Sequence, residues 1–211
     1  MGWGKFMKLD FKRYTTFLLG ILILTLGVSL TVKSEIGAGA YDSINFALSS
    51  LFNINVSITI CATSLLIVFL AAFIRKGFPR FITFLTSVIM GISTNMWVQL
   101  IKDLTAETIL SKVIMFAIGM FLVCLGIAIY LIPKLPANPA DDFMVALTEN
   151  GFSIRKAKLS IDITCIIIAF LLKGPIGIGT VILTFVAGPA IDFIHHNILK
   201  IIAKVKFNYL V

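Results

Sequence analysis

Charge is what this sequence has least of. Of 211 residues only 13% are Asp, Glu, Lys or Arg, while 59% are hydrophobic. A soluble domain carries about 25% charged and roughly 45–50% apolar residues, so an ordinary water-soluble globular protein is excluded. Cysteine is as sparse. Cys61, Cys124 and Cys165 stand alone, without a CxxC pair or ligands at metal spacing, and read as small apolar packing residues. No HExxH, no paired nucleophile and base, and no phosphotransfer motif occurs, so neither an enzyme nor a cofactor or metal is expected. Gly174-Pro-Ile-Gly-Ile-Gly-Thr180 has the glycines of a phosphate loop but lacks its Lys-Ser/Thr ending and preceding strand. It reads as a flexible entry to a helix, with Gly177, Gly179 and Thr180 as loop residues.

What is present in quantity is uncharged length. Residues 14–32, 43–74, 81–101, 113–133 and 174–191 contain no Asp, Glu, Lys or Arg. Each supplies the roughly 20 apolar residues that cross a hydrocarbon core about 30 Å thick. The expected fold is an all-α membrane protein, one domain over 1–211, with six transmembrane helices at 14–33, 56–75, 80–101, 112–133, 158–173 and 176–197. The first run, 19 residues long, exceeds a signal-peptide core and has a mid-chain counterpart, so it reads as a retained span.

The net charge of +8 is then a topology signal. With the N-terminus inside, Lys5, Lys8, Lys12, Arg13, Arg75, Lys76, Arg80, Lys134, Arg155, Lys156, Lys158, Lys200, Lys204 and Lys206 are cytoplasmic. Only Lys33, Lys102, Lys112 and Lys173 face out, a split of 14 to 4. The positive-inside rule favours that orientation, with both termini cytoplasmic, and removes nucleic acid as the reason for the charge.

The sequence also repeats. Residues 17–48 align without gaps on 116–147 at an offset of 99, with eight of 32 positions identical, among them Gly20 with Gly119, Gly27 with Gly126 and Asp42 with Asp141. At an offset of 97, Lys76-Gly77 matches Lys173-Gly174, Thr83 matches Thr180 and Gly91 matches Gly188. Repeat 1 covers about 14–101 and repeat 2 about 112–197. Three spans per repeat force the second half to enter the membrane from the opposite side, so the halves form an inverted repeat.

After the first span of each half comes a segment that is neither turn nor span. Gly37 and Gly39 break the first; Pro136, Asn138 and Pro139 break the second. Asp42 and Asp141 follow, where an N-cap is wanted before a short interfacial or re-entrant helix. A dipping loop marks a cavity, because irregular backbone at membrane depth must be buried in protein or line one.

Candidate site residues follow from these positions. Asp42 and Asp141 have two readings: a polar site near the pseudo-axis that binds a cation, proton or substrate, or plain helix caps worth about 1 kcal/mol each. Asn45, Asn138 and Asp142 share the two broken segments. Asn95 and Asp192 lie four residues after Gly91 and Gly188, where close helix packing is expected, and an intramembrane carboxylate is costly unless partnered. Asp162 lies one turn from Arg155, Lys156 and Lys158, as a helix-end ion pair or a pathway residue. His195 and His196 follow Asp192 at helical spacing without forming a metal motif. Pro189, next to Gly188, is expected to kink the last span. Gly20, Gly27, Gly119 and Gly126 recur at seven-residue spacing, a packing face.

With Gly37-Ala-Gly-Ala-Tyr-Asp42, Gly177-Ile-Gly-Thr180 and Gly188-Pro-Ala-Ile-Asp192 in hand, the chain resembles the bacterial YczE/YyaS/YitT family of multi-pass membrane proteins, most closely its YczE-like branch. Ala40-Tyr41 stands where that branch commonly has Pro-Trp. The resemblance covers nearly the whole chain and implies a bacterial cell-membrane location without supplying an activity. The expected function is a small-molecule transporter or permease with its site between inverted repeats. The alternative is a non-transporting accessory, scaffold or sensor for a biosynthetic or export system. The expected partners are membrane lipids and a small-molecule or ion substrate, with a homodimer or partner protein as further options.

Overall fold

In a computed structural model residues 3–208 are described, and their regular structure is all helix, joined by short turns, with no strand among them. The order is α1 (Trp3–Lys33), α2 (Ala40–Phe52), α3 (Val56–Arg75), α4 (Phe81–Leu100), α5 (Ile109–Leu131), α6 (Pro139–Glu149), α7 (Ile154–Leu171) and α8 (Ile178–Asn208). The side chains of Lys5, Lys8, Arg155, Lys204 and Lys206, counted above as cytoplasmic, lie outside the described residues.

Five of these helices are long and apolar enough to cross a membrane: Phe11–Lys33, Val56–Arg75, Phe81–Leu100, Ile109–Leu131 and Ile178–Ile202. They overlap five of the six expected spans. The remaining one, the fifth in chain order and expected at 158–173, belongs to α7, which falls short because its 18 residues include Arg155, Lys156, Lys158 and Asp162.

Local signals set the helix ends. Thr108 and Ser111 form a capping box that opens α5. Asn138 caps α6 with Pro139 in its first turn, where the absent N–H is no loss. Asp42 and Asp141 are not the caps the sequence proposes: the N-cap positions are Gly39 and Asn138, and the Asn138 side chain accepts from the Asp141 N–H at 3.0 Å. Left-handed backbone recurs at matched positions, Glu35 with Lys134 and Lys76 with Lys173, so the repeats end these helices in the same way.

The centre of the molecule is the packing of α1 on α5. A Cβ at Gly27 would lie 2.5 Å from the Val123 nitrogen and 2.7 Å from the Gly119 carbonyl oxygen. One at Gly119 would lie 2.8 Å from Thr31 Cγ2 and 2.9 Å from the Gly27 carbonyl oxygen. Gly20 meets Tyr130 and Gly126 meets Leu24 in the same way. Such backbone approach is the usual basis of helix association in lipid, where apolar burial supplies little. Reading up α1 through 20, 24, 27 and 31 meets 130, 126, 123 and 119 on α5, so the two helices run antiparallel. Phe17, Ile21, Leu24, Val28 and Tyr130 fill the adjoining core, with Phe17 edge-on to Tyr130 at 6.0 Å.

Around this pair, α4 packs on α1 and α8 on α5, while α2 packs on α7 and α6 on α3. Gly91 admits α3 closely, since a Cβ there would lie 3.1 Å from the Ser57 carbonyl oxygen. Gly188 does not behave as expected: nothing lies within 4 Å of its Cβ position, because α8 packs on α5 and presents this residue to open space. α8 runs through Pro189 as one helix.

The segment after α1 is docked rather than loose. Ala38 N–H donates to the Pro175 carbonyl at 3.0 Å and Gly179 N–H to the Ile36 carbonyl at 3.0 Å. Gly37 is required here twice over: its φ is 135°, and a Cβ would lie 2.7 Å from the Thr180 nitrogen. Thr180 itself is fully buried. On the other half, Thr86 Oγ1 donates to the Pro136 carbonyl at 2.9 Å. The docked loop delivers α2 with its first turn beside the middle of α3, where the Tyr41 hydroxyl meets Thr63 Oγ1 at 2.9 Å and Ser64 Oγ at 3.1 Å.

Candidate functional site

A cavity of about 520 Å³ lies between α2, α3, α6 and α7. Most of its wall is aliphatic or aromatic, including Ile44, Leu66, Ile67, Phe143 and Ile168; its polar groups are the hydroxyls of Tyr41, Thr63, Ser160 and Thr164 and the Cys165 thiol. Thr63 is tied down, donating from Oγ1 to Asn45 Oδ1 at 2.6 Å, and Thr59 Oγ1 donates to the Asn45 carbonyl at 2.9 Å. Buried Asn45 therefore bolts α2 to α3, and its part in the site is to hold one wall in place.

Behind the wall three carboxylates gather. Asp42, Asp141 and Asp162 each adjoin a lining residue in the chain, namely Tyr41, Ala140 and Ile161. Lys158 donates to Asp162 Oδ1 at 2.7 Å, and the same ammonium attracts both Asp42 and Asp141. Burial pushes Asp42 up to about 6 against that attraction. Burial also raises Asp141, while the Tyr130 hydroxyl, donating at 2.7 Å, and Lys158 act to lower it, and Asp162 acts to raise it. Asn138 Nδ2 donates to the same Asp141 oxygen at 2.9 Å. Asp42 has no such donor; its carboxylate lies over Gly39, where a Cβ would be 2.7 Å from Oδ2. Asp162 Oδ2 is buried without a hydrogen-bond partner.

Sequence comparison supplies the context for this arrangement. The family described as "Family of unknown function (DUF6198)" matches residues 11–196. The chain belongs to this family. Among the relatives of this DUF6198 member, the Bacillus subtilis protein YyaS is 30% identical over 83% of the chain and 89% of its own length. The B. subtilis membrane protein YczE is 26% identical over 86% of the chain and 84% of its own length. A Haemophilus influenzae protein is 27% identical over 92% of the chain and 87% of its own length. No solved structure gives a significant match. The resemblance to YczE and YyaS read from the sequence therefore stands, and with five apolar helices this DUF6198 protein is an integral membrane protein.

The other expected site residues of the DUF6198 chain lie apart from the three carboxylates. Asp142 is held by cations: Arg75 donates to its two carboxylate oxygens at 2.6 and 2.9 Å and to its carbonyl at 2.7 Å, and Arg80 donates at 3.0 Å. Arg75 also pairs with Glu149 at 2.7 Å. Asp192 is exposed on α8, and His195 turns away from it so that Nδ1 lies 2.8 Å from the Ala128 carbonyl oxygen. His196 is exposed. Asn95 is half-buried on α4, and its side chain makes no hydrogen bond among the described residues. No His, Cys, Asp and Glu group among the described residues has metal-site geometry.

One residue of the site carries no separate signal in the sequence reading: Tyr130 sits in an apolar run and meets Asp141 only after the chain breaks at Pro136. Lys158 does carry one, since the helix-end ion pair expected for Asp162 is made with Lys158 at i,i+4.

Proposed function

We propose that the chain is a small-molecule transporter of the bacterial cell membrane, in which six spans form two inverted three-span halves and the cavity between them is the substrate site. The observation that carries this reading is the composition of the cavity wall. It is built from α2 with α3 and from α6 with α7, which are repeat-equivalent pairs, so the cavity falls on the boundary between the halves. The α1–α5 contacts support the inversion. Shifting by 99 exchanges the Gly20–Tyr130 contact with Gly119–Thr31, and Gly126–Leu24 with Gly27–Val123. A two-fold axis in the membrane plane produces that exchange; a tandem repeat of one orientation does not. The first turns of α2 and α6 both reach the field of Lys158, as two loops dipping from opposite faces would. In this reading α7 is the fifth of the six spans, its inner charges tolerated because Lys158 and Asp162 partner each other.

Alternating exposure is testable without knowing the substrate. With Cys61, Cys124 and Cys165 replaced by Ala, Thr63→Cys and Ser160→Cys place single thiols at repeat-equivalent positions of the wall. Transport predicts that a membrane-impermeant thiol reagent modifies each from both the inside and the outside of vesicles. Modification from one side alone refutes alternation and favours the accessory or scaffold reading.

A further inference from the structure

The cavity of about 520 Å³ has the size of a small-molecule site, and no Asp, Glu, Lys or Arg lines it. Three of its four hydroxyls are engaged: Tyr41 with Thr63 and Ser64, Thr63 with Asn45 Oδ1, and Thr164 with the Ser160 carbonyl at 2.8 Å. A charged ligand would lose its water here without gaining a partner, so the wall selects an uncharged, apolar one. The burial pattern shows where such a ligand enters. The wall residues on α2 and α6 are buried or half-buried, whereas Leu66 and Leu70 of α3 and Ser160, Thr164 and Ile168 of α7 are exposed. α2 and α6 each pack on both α3 and α7, while α3 and α7 are not packed on each other. The short helices therefore form a floor, and α3 and α7 the two lips of a slit above it. Beyond the lips the surface stays apolar: Phe69 and Phe73 on α3 are 51% and 81% exposed, and Ile167 and Phe170 on α7 are 56% and 72% exposed. Leu66 stands halfway along a helix apolar enough to cross a membrane, so the slit opens toward hydrocarbon rather than water.

We propose that the cavity takes one acyl chain of a bilayer lipid, admitted sideways between α3 and α7 and lying against Ile67 and Phe143. The proposal rests on the cavity being the substrate site and names the class of substrate, a lipid recognised by its uncharged chain. An aliphatic chain asks for no hydrogen bond, which this wall does not offer, and the slit faces the phase in which such chains are the solvent.

The probe is phosphatidylcholine brominated on its acyl chains, because bromine quenches tryptophan fluorescence only at contact. With Trp3 and Trp97 replaced by Phe, Phe143→Trp reports from the floor of the cavity and Ile114→Trp from the exposed face of α5. In bilayers of the brominated lipid, the full chain with Phe143→Trp is expected to lose about half or more of the fluorescence that Ile114→Trp loses, and to be quenched less by aqueous iodide than by the lipid. In mixtures with ordinary phosphatidylcholine its quenching should rise linearly with the brominated fraction, as contact with one chain requires, whereas Ile114→Trp, touched by several lipids, saturates earlier. Ile67→Phe, which adds apolar bulk inside the cavity, should cut the quenching of the Phe143→Trp reporter at least twofold and leave that of Ile114→Trp unchanged. Thermal unfolding identifies any variant that has lost its fold, and Leu147→Trp, one turn further along the same wall, is the second reporter. Stronger quenching by iodide than by bromine marks a cavity filled with water and overturns the proposal. So does quenching by neither, which marks a closed cavity, or a mixing curve as steep as that of Ile114→Trp, which marks ordinary lipid-facing surface. The transport reading fails separately: bromine quenching with thiols modified from one side leaves a lipid site without transport, and two-sided modification without bromine quenching leaves a transporter whose substrate comes from water.

Discussion

Replacing Gly27 with Ala tests the α1–α5 contact on which the arrangement of the halves depends. The added Cβ would stand 2.5 Å from the Val123 nitrogen and 2.7 Å from the Gly119 carbonyl oxygen. Carbon contacts are comfortable near 3.5 Å, so the helices must part by about 1 Å, and a gap of that size forfeits a quarter to a half of the dispersion energy along the seam. Overpacking of this kind costs about 1–3 kcal/mol. Ala also gains about 1 kcal/mol over Gly in a helix interior, which masks part of the loss. Gly188→Ala is the reference for that gain, because nothing beyond its chain neighbours lies within 4 Å of its Cβ position and it too lies inside a helix, although the ring of Pro189 disfavours helical backbone before it and offsets part of the gain. The difference between the two variants is therefore a lower bound on the cost of the contact. At roughly 2–4 °C per kcal/mol for a chain of this size, Gly27→Ala unfolds about 2–12 °C below Gly188→Ala. Gly119→Ala should match Gly27→Ala, and the double variant should cost less than the sum, since the gap opened by one admits the other. The assay is thermal unfolding of detergent-purified protein followed by size-exclusion or intrinsic fluorescence. Equal Tm values for Gly27→Ala and Gly188→Ala refute the reasoning.

Two further outcomes follow from the charged groups. Asp142→Asn leaves Arg75, whose side chain is 9% exposed, without its main partner, and should cost about 3–5 kcal/mol, whereas Glu149→Gln, at a side chain 44% exposed, should cost under about 1 kcal/mol. Comparable Tm losses in the two variants would contradict that ordering. Asp42 is raised by burial from 3.8 to about 6, so the fold favours its neutral form; that stabilisation is present below 3.8, declines as the pH rises and is gone above about 6. Asp42→Asn, always neutral, should therefore unfold at a higher temperature than the wild type above pH 6, with the gap closing toward pH 4; a constant gap across this range contradicts the assignment.

The helical membrane class, five of the spans and the glycine seam are legible in the sequence because each rests on local spacing. Gly20, Gly27, Gly119 and Gly126 announce a packing face by their period alone, and the structure seats all four in one interface. What the sequence misreads depends on partners far along the chain. Asp42 and Asp141 look like caps, but docking of residues 36–38 on 175–180 starts α2 at Ala40, and Asn138 starts α6 at Pro139, so both acids fall inside the first turn. Arg75 and Arg80 register only as topology charges, since their partner Asp142 lies more than 60 residues away. Gly188 matches Gly91 in sequence yet meets nothing, because α8 has no counterpart of the α3–α4 contact.

That departure from symmetry and the shortfall of α7 as a span concern the same region. α7 is where the chain places Lys158 and Asp162, and these charges are what remove it from the set of apolar crossing helices. Its counterpart α3 carries no acidic residue and only Arg75 as a cation, at its very end, so it qualifies. A helix that supplies ionisable groups at membrane depth must look less like a span than its structural equivalent, because hydropathy counts each charge at its unpartnered cost. Pairing within the helix lowers that cost, and Lys158 and Asp162 at i,i+4 meet at 2.7 Å. The matched helices α3 and α7 thus differ in the charge they carry, and that inequality, more than the repeated Asp42 and Asp141, marks where the two repeats diverge.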